Sequence, residues 1–299
     1  MLFVVLFVFL LLRLAPGDPA AVLAGDSATP AQLEQVRQAL GLDRSVLTQF
    51  GLWISQLAKG DLGVSLISGL PVARIIGQRL EPTLWLTVLT MLFSSAAAIP
   101  LGVIAAWKHN KPADRVITFA TVLGFSVPFF VIGYVLMLVL AIGLGWLPVQ
   151  GYRSPAAGLG GFLRHQILPV LTLSVPLIAL IARITRASML EVLGSDYVRT
   201  ARAKGLRESV VLCRHALRTA SLPILTVIGN GFALLIGGAI VTESIFNLPG
   251  IGRLTVDAVL ARDYPVIQGI ILLTSGFYVL LNLLVDLAYV LLDPRVRYE

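Results

Sequence analysis

The chain has 299 residues, of which 57% are hydrophobic and only 13% charged, and its mean hydropathy is +0.88. Soluble domains carry roughly a quarter charged residues, so a soluble globular fold is excluded and the bilayer is the main solvent. The net charge of +7 fits Lys and Arg retained on the cytoplasmic side of a membrane protein, not a nucleic-acid surface.

The single cysteine, Cys213, excludes an internal disulfide. His109, His165 and His215 are far apart and not at ligand spacing, and no GxxxxGK[ST] loop occurs. No metal site, no catalytic residue and no cofactor are therefore expected on this chain.

Met1 to Leu12 is wholly apolar and is followed by Arg13. A spanning helix needs about 20 residues, but Ala15-Pro16-Gly17-Asp18-Pro19 breaks this one early. No basic segment precedes it, which argues against a signal peptide. Residues 1–14 are expected to be a first transmembrane helix lacking its N-terminal part, a point that mass spectrometry of the native N-terminus would check. Residues 15–82 are mixed in polarity and are expected outside the hydrocarbon. There Thr29-Pro30-Ala31-Gln32 predicts a helix start: Thr29 caps, Pro30 suits the first turn, and Gln32 completes a capping box. Leu33, Val36 and Leu40 then share a face, with Gly41 as a stop. A second amphipathic stretch places Leu47, Phe50, Ile54 and Leu57 on one side.

Residues 83–292 read as a five-helix core, followed by a cytoplasmic tail at 293–299. Its apolar runs are Leu84–Trp107, Val116–Tyr152, Gln166–Ala182, Thr219–Thr242 and Tyr264–Leu292. The second is long enough for a helix and a re-emerging loop through Gly143, Gly145 and Pro148. Arg183 lengthens the third by snorkelling. With the N-terminal run this predicts an all-α polytopic protein of six transmembrane helices. Lys108, Lys111 and Arg115, the bases from Arg183 to Arg218, and Arg295 and Arg297 all fall on one side of such a chain. That side is cytoplasmic by the positive-inside rule, with both termini inside. Arg37, Arg44, Lys59, Arg74 and Arg79 fall on the other side, in a loop of the length at which the rule weakens. Pro100, Pro128, Pro169 and Pro176 predict kinks. Asp286, one turn after Asn282, is the main acid within a span; it is expected to pair with a basic residue. The scarcity of charge near the midplane counts against a proton-driven carrier.

The segment from Asp196 to Pro223 is the one long polar stretch on the cytoplasmic side, and it overlaps a loop expected at 191–222. Tyr197, Thr200, Ala201 and Lys204 fall at helical spacing on one predicted face. Gly205 permits a turn, and a second helix follows from about Arg207 to Ala220. Arg199, Arg202, Lys204 and Arg207 make the unit basic, and small Ala201 and Ala203 allow a partner to approach closely. On residue chemistry alone, a docking handle and a plain basic loop are equal readings.

The segment also resembles the EAA loop of ABC importer permeases, EAA–x3–G–x9–I-x-LP. Set on Gly205, EAA falls on Arg199, Thr200 and Ala201, and I-x-LP on His215-Ala216-Leu217-Arg218. Only Ala201, Gly205 and Leu217 match. The surrounding blocks are more specific. SMLEVLGSDYVRTARAKG (Ser188–Gly205), RLAPGDP (Arg13–Pro19), KGDLGVS (Lys59–Ser65), TESIFNLPGIGRL (Thr242–Leu254), RDYPVIQG (Arg262–Gly269) and NLLVDLAYVLLDPRVR (Asn282–Arg297) resemble the dipeptide/oligopeptide/nickel branch of those permeases. These are the binding-protein-dependent transport system inner membrane components, and the chain is similar to the first permease of the pair.

The resemblance implies a type I ABC importer permease core of the MetI-like kind in the bacterial or archaeal inner membrane. It implies a second permease, two cytoplasmic ATPase subunits that carry ATP and Mg, an extracytoplasmic solute-binding protein and surrounding lipid. It also implies an ATPase-coupling helix carrying Tyr197, Arg199, Thr200, Ala201, Lys204 and Gly205, and an outer mouth facing the binding protein at Glu243, Pro249, Gly250 and Gly252. The cargo implied is a short peptide, with nickel, glutathione and related small solutes as alternatives. Two rival classes are a stand-alone ion-coupled carrier and a non-conducting membrane scaffold.

Overall fold

The computed structural model describes residues 2–14, 20, 29–39 and 43–292. The proline-rich break after Leu14, the face through Val36 and Leu40, the stop at Gly41 and the tail with Arg295 and Arg297 lie outside the described residues or side chains. Among the described residues the structure is helical, apart from an isolated bridge between Val64 and Pro71. An unpaired strand edge is not tolerated in hydrocarbon, whereas a helix satisfies its backbone internally.

The elements in chain order are α1 (Leu2–Leu14), α2 (Pro30–Ala39), α3 (Val46–Ala58), α4 (Val72–Trp107), α5 (Pro112–Ser126) and α6 (Phe129–Leu136). They continue with α7 (Leu159–Leu193), α8 (Asp196–Ala203), α9 (Glu208–Ile245), α10 (Ile251–Leu260) and α11 (Tyr264–Leu292). Helices α4, α7 and α9, together with Tyr264–Tyr289 of α11, are long and apolar enough to cross a membrane. Helix α5 and the stretch Phe129–Gly143 are together long and apolar enough for a fifth, but the pair is bent by 99°, the geometry of a broken span or of a re-entrant loop. Pro128 sits at that bend and cannot donate the backbone bond that would continue α5. Among the described residues there are thus four candidate crossings, or five if the bent pair is one span. Helix α1 contributes 13 residues, fewer than a crossing needs.

Several helices start earlier or run longer than their apolar blocks. The run expected at Leu84–Trp107 begins at Val72, and that expected at Gln166–Ala182 extends over Leu159–Leu193. Polar ends of a helix outside the hydrocarbon keep their hydrogen-bond pattern although their side chains are hydrophilic. The second cytoplasmic helix expected at Arg207–Ala220 is not separate. It continues through a π-helical stretch, Val211–Ala216, into the candidate crossing of α9.

The chain divides into two compact units, residues 1–81 with 250–279 and residues 82–249 with 280–299. In the first, Val72, Ile76, Ile251, Ala258, Val266 and Ile270 form the core. The Ser65 hydroxyl and the Leu66 amide both donate to the buried Asp263 carboxylate. Two of the sequence blocks, Lys59–Ser65 and Arg262–Gly269, therefore meet there. The Gln268 amide donates to the Val8 carbonyl of α1 at 3.1 Å. The capping box forms as expected: Thr29 N–H donates to Gln32 Oε1 at 2.9 Å and Gln32 N–H to Thr29 Oγ1 at 3.4 Å. Helix α3 packs through Phe50 and Trp53 against Phe9; Leu47 and Ile54 are exposed instead.

In the second unit α7 is the central element. Leu168, Val170, Leu173 and Leu177 enter the main core with Leu86, Leu235 and Phe246. Ile181 and Ala182 pack with Ala98, and Met189 packs with Ala106, Ala216 and Ala220. Close approach to α7 requires glycine at two places. A Cβ on Gly102 of α4 would lie 2.5 Å from Thr185 Cβ and 2.7 Å from the Ala182 carbonyl. One on Gly238 of α9 would lie 2.5 Å from Leu173 Cδ1. Small residues at crossings are the usual means by which membrane helices approach. Helix α11 leaves Leu283, Leu284 and Leu287 about half exposed, at 53%, 52% and 53%. Asp286 is exposed on it and makes no ion pair among the described residues, contrary to the pairing expected of it.

These contacts predict the outcome of a pair of substitutions. Gly102→Ala should destabilise the protein in detergent by about 1–3 kcal/mol through overpacking. Gly237→Ala, on a helix position with nothing within 4 Å, should be neutral or stabilising by up to about 1 kcal/mol. Thermal unfolding of the two purified variants checks both.

Candidate functional site

Helix α7 ends where Gly194 and Ser195 interrupt it. Ser195 is extended, and its hydroxyl donates back to the Val192 carbonyl at 2.6 Å. Helix α8 then runs for eight residues with Asp196 in its first turn and Arg202 in its last, charges that suit the two ends of the helix dipole. Gly205 closes it in the left-handed region at φ +76°. There the Gly205 N–H reaches the Arg202 carbonyl at 2.9 Å and the Lys204 N–H reaches Thr200 at 3.0 Å. An L side chain at Gly205 would be strained.

Eight residues are too few for a helix to persist alone in water. Tertiary packing holds this one. Val198 is fully buried and Ala201 is 7% exposed; both pack on Val211 of α9, with Val192 and Leu193 of α7 alongside. Arg202 spans the glycine turn to Glu208 at 2.7 Å, and the Tyr197 hydroxyl donates to Thr219 Oγ1 at 2.9 Å. Arg199 pairs with Asp196 one turn back on the exposed side.

The structure rotates the face expected from the sequence. Ala201 points into the seam with Val198, so it is a packing residue and not part of an outward surface. Tyr197 is 43% exposed but tethered to α9. The most outward stripe is Asp196, Arg199, Thr200 and Ala203, spaced i, i+3, i+4 and i+7, with Lys204 and Gly205 exposed at its end. The signal for this rotation was Val198, the one large apolar residue in the helix, which fixes the buried side.

The expected outer-mouth residues are placed differently. Glu243 is fully buried and accepts a hydrogen bond from the Thr83 hydroxyl at 2.6 Å. Its backbone carbonyl receives the Leu248 N–H at 2.9 Å. Gly250 and Gly252 are buried and Pro249 is half-buried. Gln150 and Gly151 donate to the carbonyls of Ile245 and Phe246 in the same turn.

A second polar cluster was not anticipated. Asp114, in the first turn of α5, is almost wholly buried, and Arg186 of α7 grips it with two bonds, Nε to Oδ1 at 2.6 Å and Nη2 to Oδ2 at 2.8 Å. The Asn110 N–H adds a bond of 2.9 Å and the Thr118 hydroxyl one of 3.3 Å. His109 Nδ1 lies 3.4 Å from the same carboxylate. In the sequence Arg186 is one of several bases between Arg183 and Arg218. The available signal was Asp114 itself, an acid just inside a helix that starts with Pro112. Among the described residues no group of metal-ligating side chains comes together.

With this geometry in view, comparison with known proteins is decisive. Residues 98–298 match the family described as binding-protein-dependent transport system inner membrane component, and residues 1–87 match its N-terminal companion family. The chain belongs to that family. As such a permease component it is a part of an ABC importer in the inner membrane and not an enzyme. The two rival classes, stand-alone carrier and scaffold, fall away.

The permease is 55% identical, over 98% of its length and 94% of the relative's, to a probable peptide ABC transporter permease protein of Sinorhizobium fredii. It is 46% identical, over 100% of its length and 95% of the relative's, to the glutathione transport system permease protein GsiC of Escherichia coli strain K12. Its fold is that of a chain in the inward-facing MetNI methionine ABC transporter, with a TM-score of 0.62 at 15% identity over 74% of this chain and 97% of the other.

The seam under α8 yields a local prediction. Val198→Asp buries a carboxylate with no cation opposite, at a cost of several kcal/mol. Amide exchange across 196–204 should then accelerate by about 100-fold or more, while Arg199→Ala, on the exposed side, should change it by less than about twofold. Hydrogen-exchange mass spectrometry of the purified protein reads both.

Proposed function

We propose that this permease pairs with a second, similar permease to form a translocation pathway. A solute-binding protein delivers cargo from outside, and two cytoplasmic ATPase subunits bind below. In this reading α8 seats in a groove on an ATPase subunit, with Asp196, Arg199, Thr200 and Ala203 towards it and Lys204 and Gly205 at the edge. Val198 and Ala201 hold the helix to the permease from behind. In this reading α1 belongs to a sixth crossing and both chain termini are cytoplasmic, on the side where Lys108, Lys111 and Arg115 join the basic α8 segment. The cargo class is short peptides or glutathione-like solutes, a reading supported by the names of the relatives.

The observation that carries the proposal is the build of α8: a short helix with one apolar edge buried in its own protein and a polar stripe left open. A plain basic loop needs neither. The chemistry asked of this chain is mechanical. ATP binding draws the ATPase subunits together, α8 moves with the surface that holds it, and α7 and α9, which enter and leave it directly, carry the displacement into the membrane. Differential contact of α8 with the two ATPase states supplies the bias between inward-open and outward-open forms.

The test uses the full complex in liposomes, with radiolabelled glutathione and tri-alanine as cargo. In a Cys213→Ser background, Thr200→Cys should crosslink to the ATPase subunit with a short thiol reagent. Ala203→Trp should leave the complex assembled but lower cargo imported per ATP hydrolysed by about tenfold or more. Normal transport by Ala203→Trp together with no crosslink from Thr200→Cys sinks the assignment of this helix.

A further inference from the structure

We infer that Asp114 and Arg186 form a strut that makes the bent span move with the docking helix, and that both are positioning residues for coupling ATP hydrolysis to transport. The inference rests on α8 being the ATPase contact. It deepens that reading by naming the route from the contact into the membrane.

The route begins at Arg186. It lies on α7 seven residues before Leu193, about 10 Å along a continuous helix. Helix α7 runs unbroken to Leu193, and its last turn packs with α8 through Val192 and Leu193. A displacement of α8 therefore reaches Arg186 through rigid backbone.

The other end of the strut is fixed equally well. The Asp114 carboxylate is 4% exposed and takes bonds from Arg186, Asn110 and Thr118. The bond from Asn110 ties it to the turn that joins α4 to α5, where Asn110 adopts a left-handed φ of 62°. Asp114 is thus locked to the base of α5, the helix that leads to the 99° bend at Pro128.

Geometry separates this pair from ordinary surface charge. Two parallel bonds between a planar guanidinium and a carboxylate fix direction as well as distance. Arg183, three residues earlier on α7, provides the contrast. It is exposed, sits over the Phe125 ring at 5.7 Å, and has no carboxylate partner among the described residues. Positive-inside topology would be satisfied by two arginines of that second kind. One of them has instead been given a buried partner on the helix that bends.

A merely structural pair would hold the fold together and leave the ratio of transport to ATP use unchanged. A strut makes that ratio depend on it. The test measures glutathione and tri-alanine imported per ATP hydrolysed by the complete reconstituted complex. Asp114→Asn and Arg186→Gln should each lower the ratio by about tenfold or more while the complex still hydrolyses ATP, and Asp114→Glu should recover part of it. An unchanged ratio, with or without reduced yield of complex, overturns the proposal.

A second design removes dependence on the charges. Asp114→Cys with Arg186→Cys, in a Cys213→Ser background, should be uncoupled as thiols and regain transport when a short bismaleimide bridges them. Loss of transport on bridging would show that α5 and α7 must part, and would overturn the strut. The Thr200→Cys crosslink separates the two levels. No crosslink to the ATPase removes the docking reading, whereas a crosslink with normal coupling in Asp114→Asn removes only the strut.

Discussion

The packing of α7 is the constraint on which the unit of residues 82–249 and 280–299 depends. Lipid offers no hydrophobic reward for bringing apolar helices together, so close fit has to supply the attraction. Here that fit is concentrated on one helix. Glycines of α4 and α9 let backbone approach it, and its side chains from Leu168 to Met189 take part in three apolar clusters in turn. A helix held along its length moves as a unit. That property makes α7 suited to carry a displacement from one end to the other, and α8 is attached at its cytoplasmic end.

Helix α8 obeys a different logic. It lies outside the apolar runs, and its stability comes from one seam. Complete burial of Val198 contributes roughly 1.5–3 kcal/mol, and the Arg202–Glu208 pair, about one-third exposed, adds up to about 1 kcal/mol. The glycine turn at 205 returns the chain at once to α9, so the helix is held at both ends by short connections. Neither end can lag when the other is moved.

Much of this was legible in the sequence. Apolar block length gave the candidate crossings and the polar stretch between two of them, because hydrocarbon thickness acts on composition directly. Thr29 and Gln32 announced their capping box through local spacing. The misplaced readings share a cause. Periodicity groups Ala201 with Tyr197, Thr200 and Lys204 because it fixes relative positions around a helix, while the direction of the core is a tertiary fact. The sequence shows nothing of the burial of Glu243, whose carboxylate accepts from Thr83, 160 residues earlier. Asp114 and Arg186 are 72 residues apart, and no local pattern joins them. The bond between Ser65 and Asp263 that unites the blocks at Lys59–Ser65 and Arg262–Gly269 is equally non-local.

The polar groups of the second unit follow from the same physics as its apolar ones. A carboxylate taken out of water is costly unless its lone pairs are filled. Asp114 meets that condition with an arginine, a backbone amide and a hydroxyl, all in fixed directions. Such a site resists partial disruption, since losing one donor leaves the remaining charge poorly solvated. Apolar contacts between α5 and α7 can slide, because dispersion depends weakly on direction. A bidentate pair cannot slide without breaking both of its bonds. Where two membrane helices must shift together and not past one another, a buried directional contact near the driven end is the arrangement that enforces it, and Asp114 with Arg186 is such a contact.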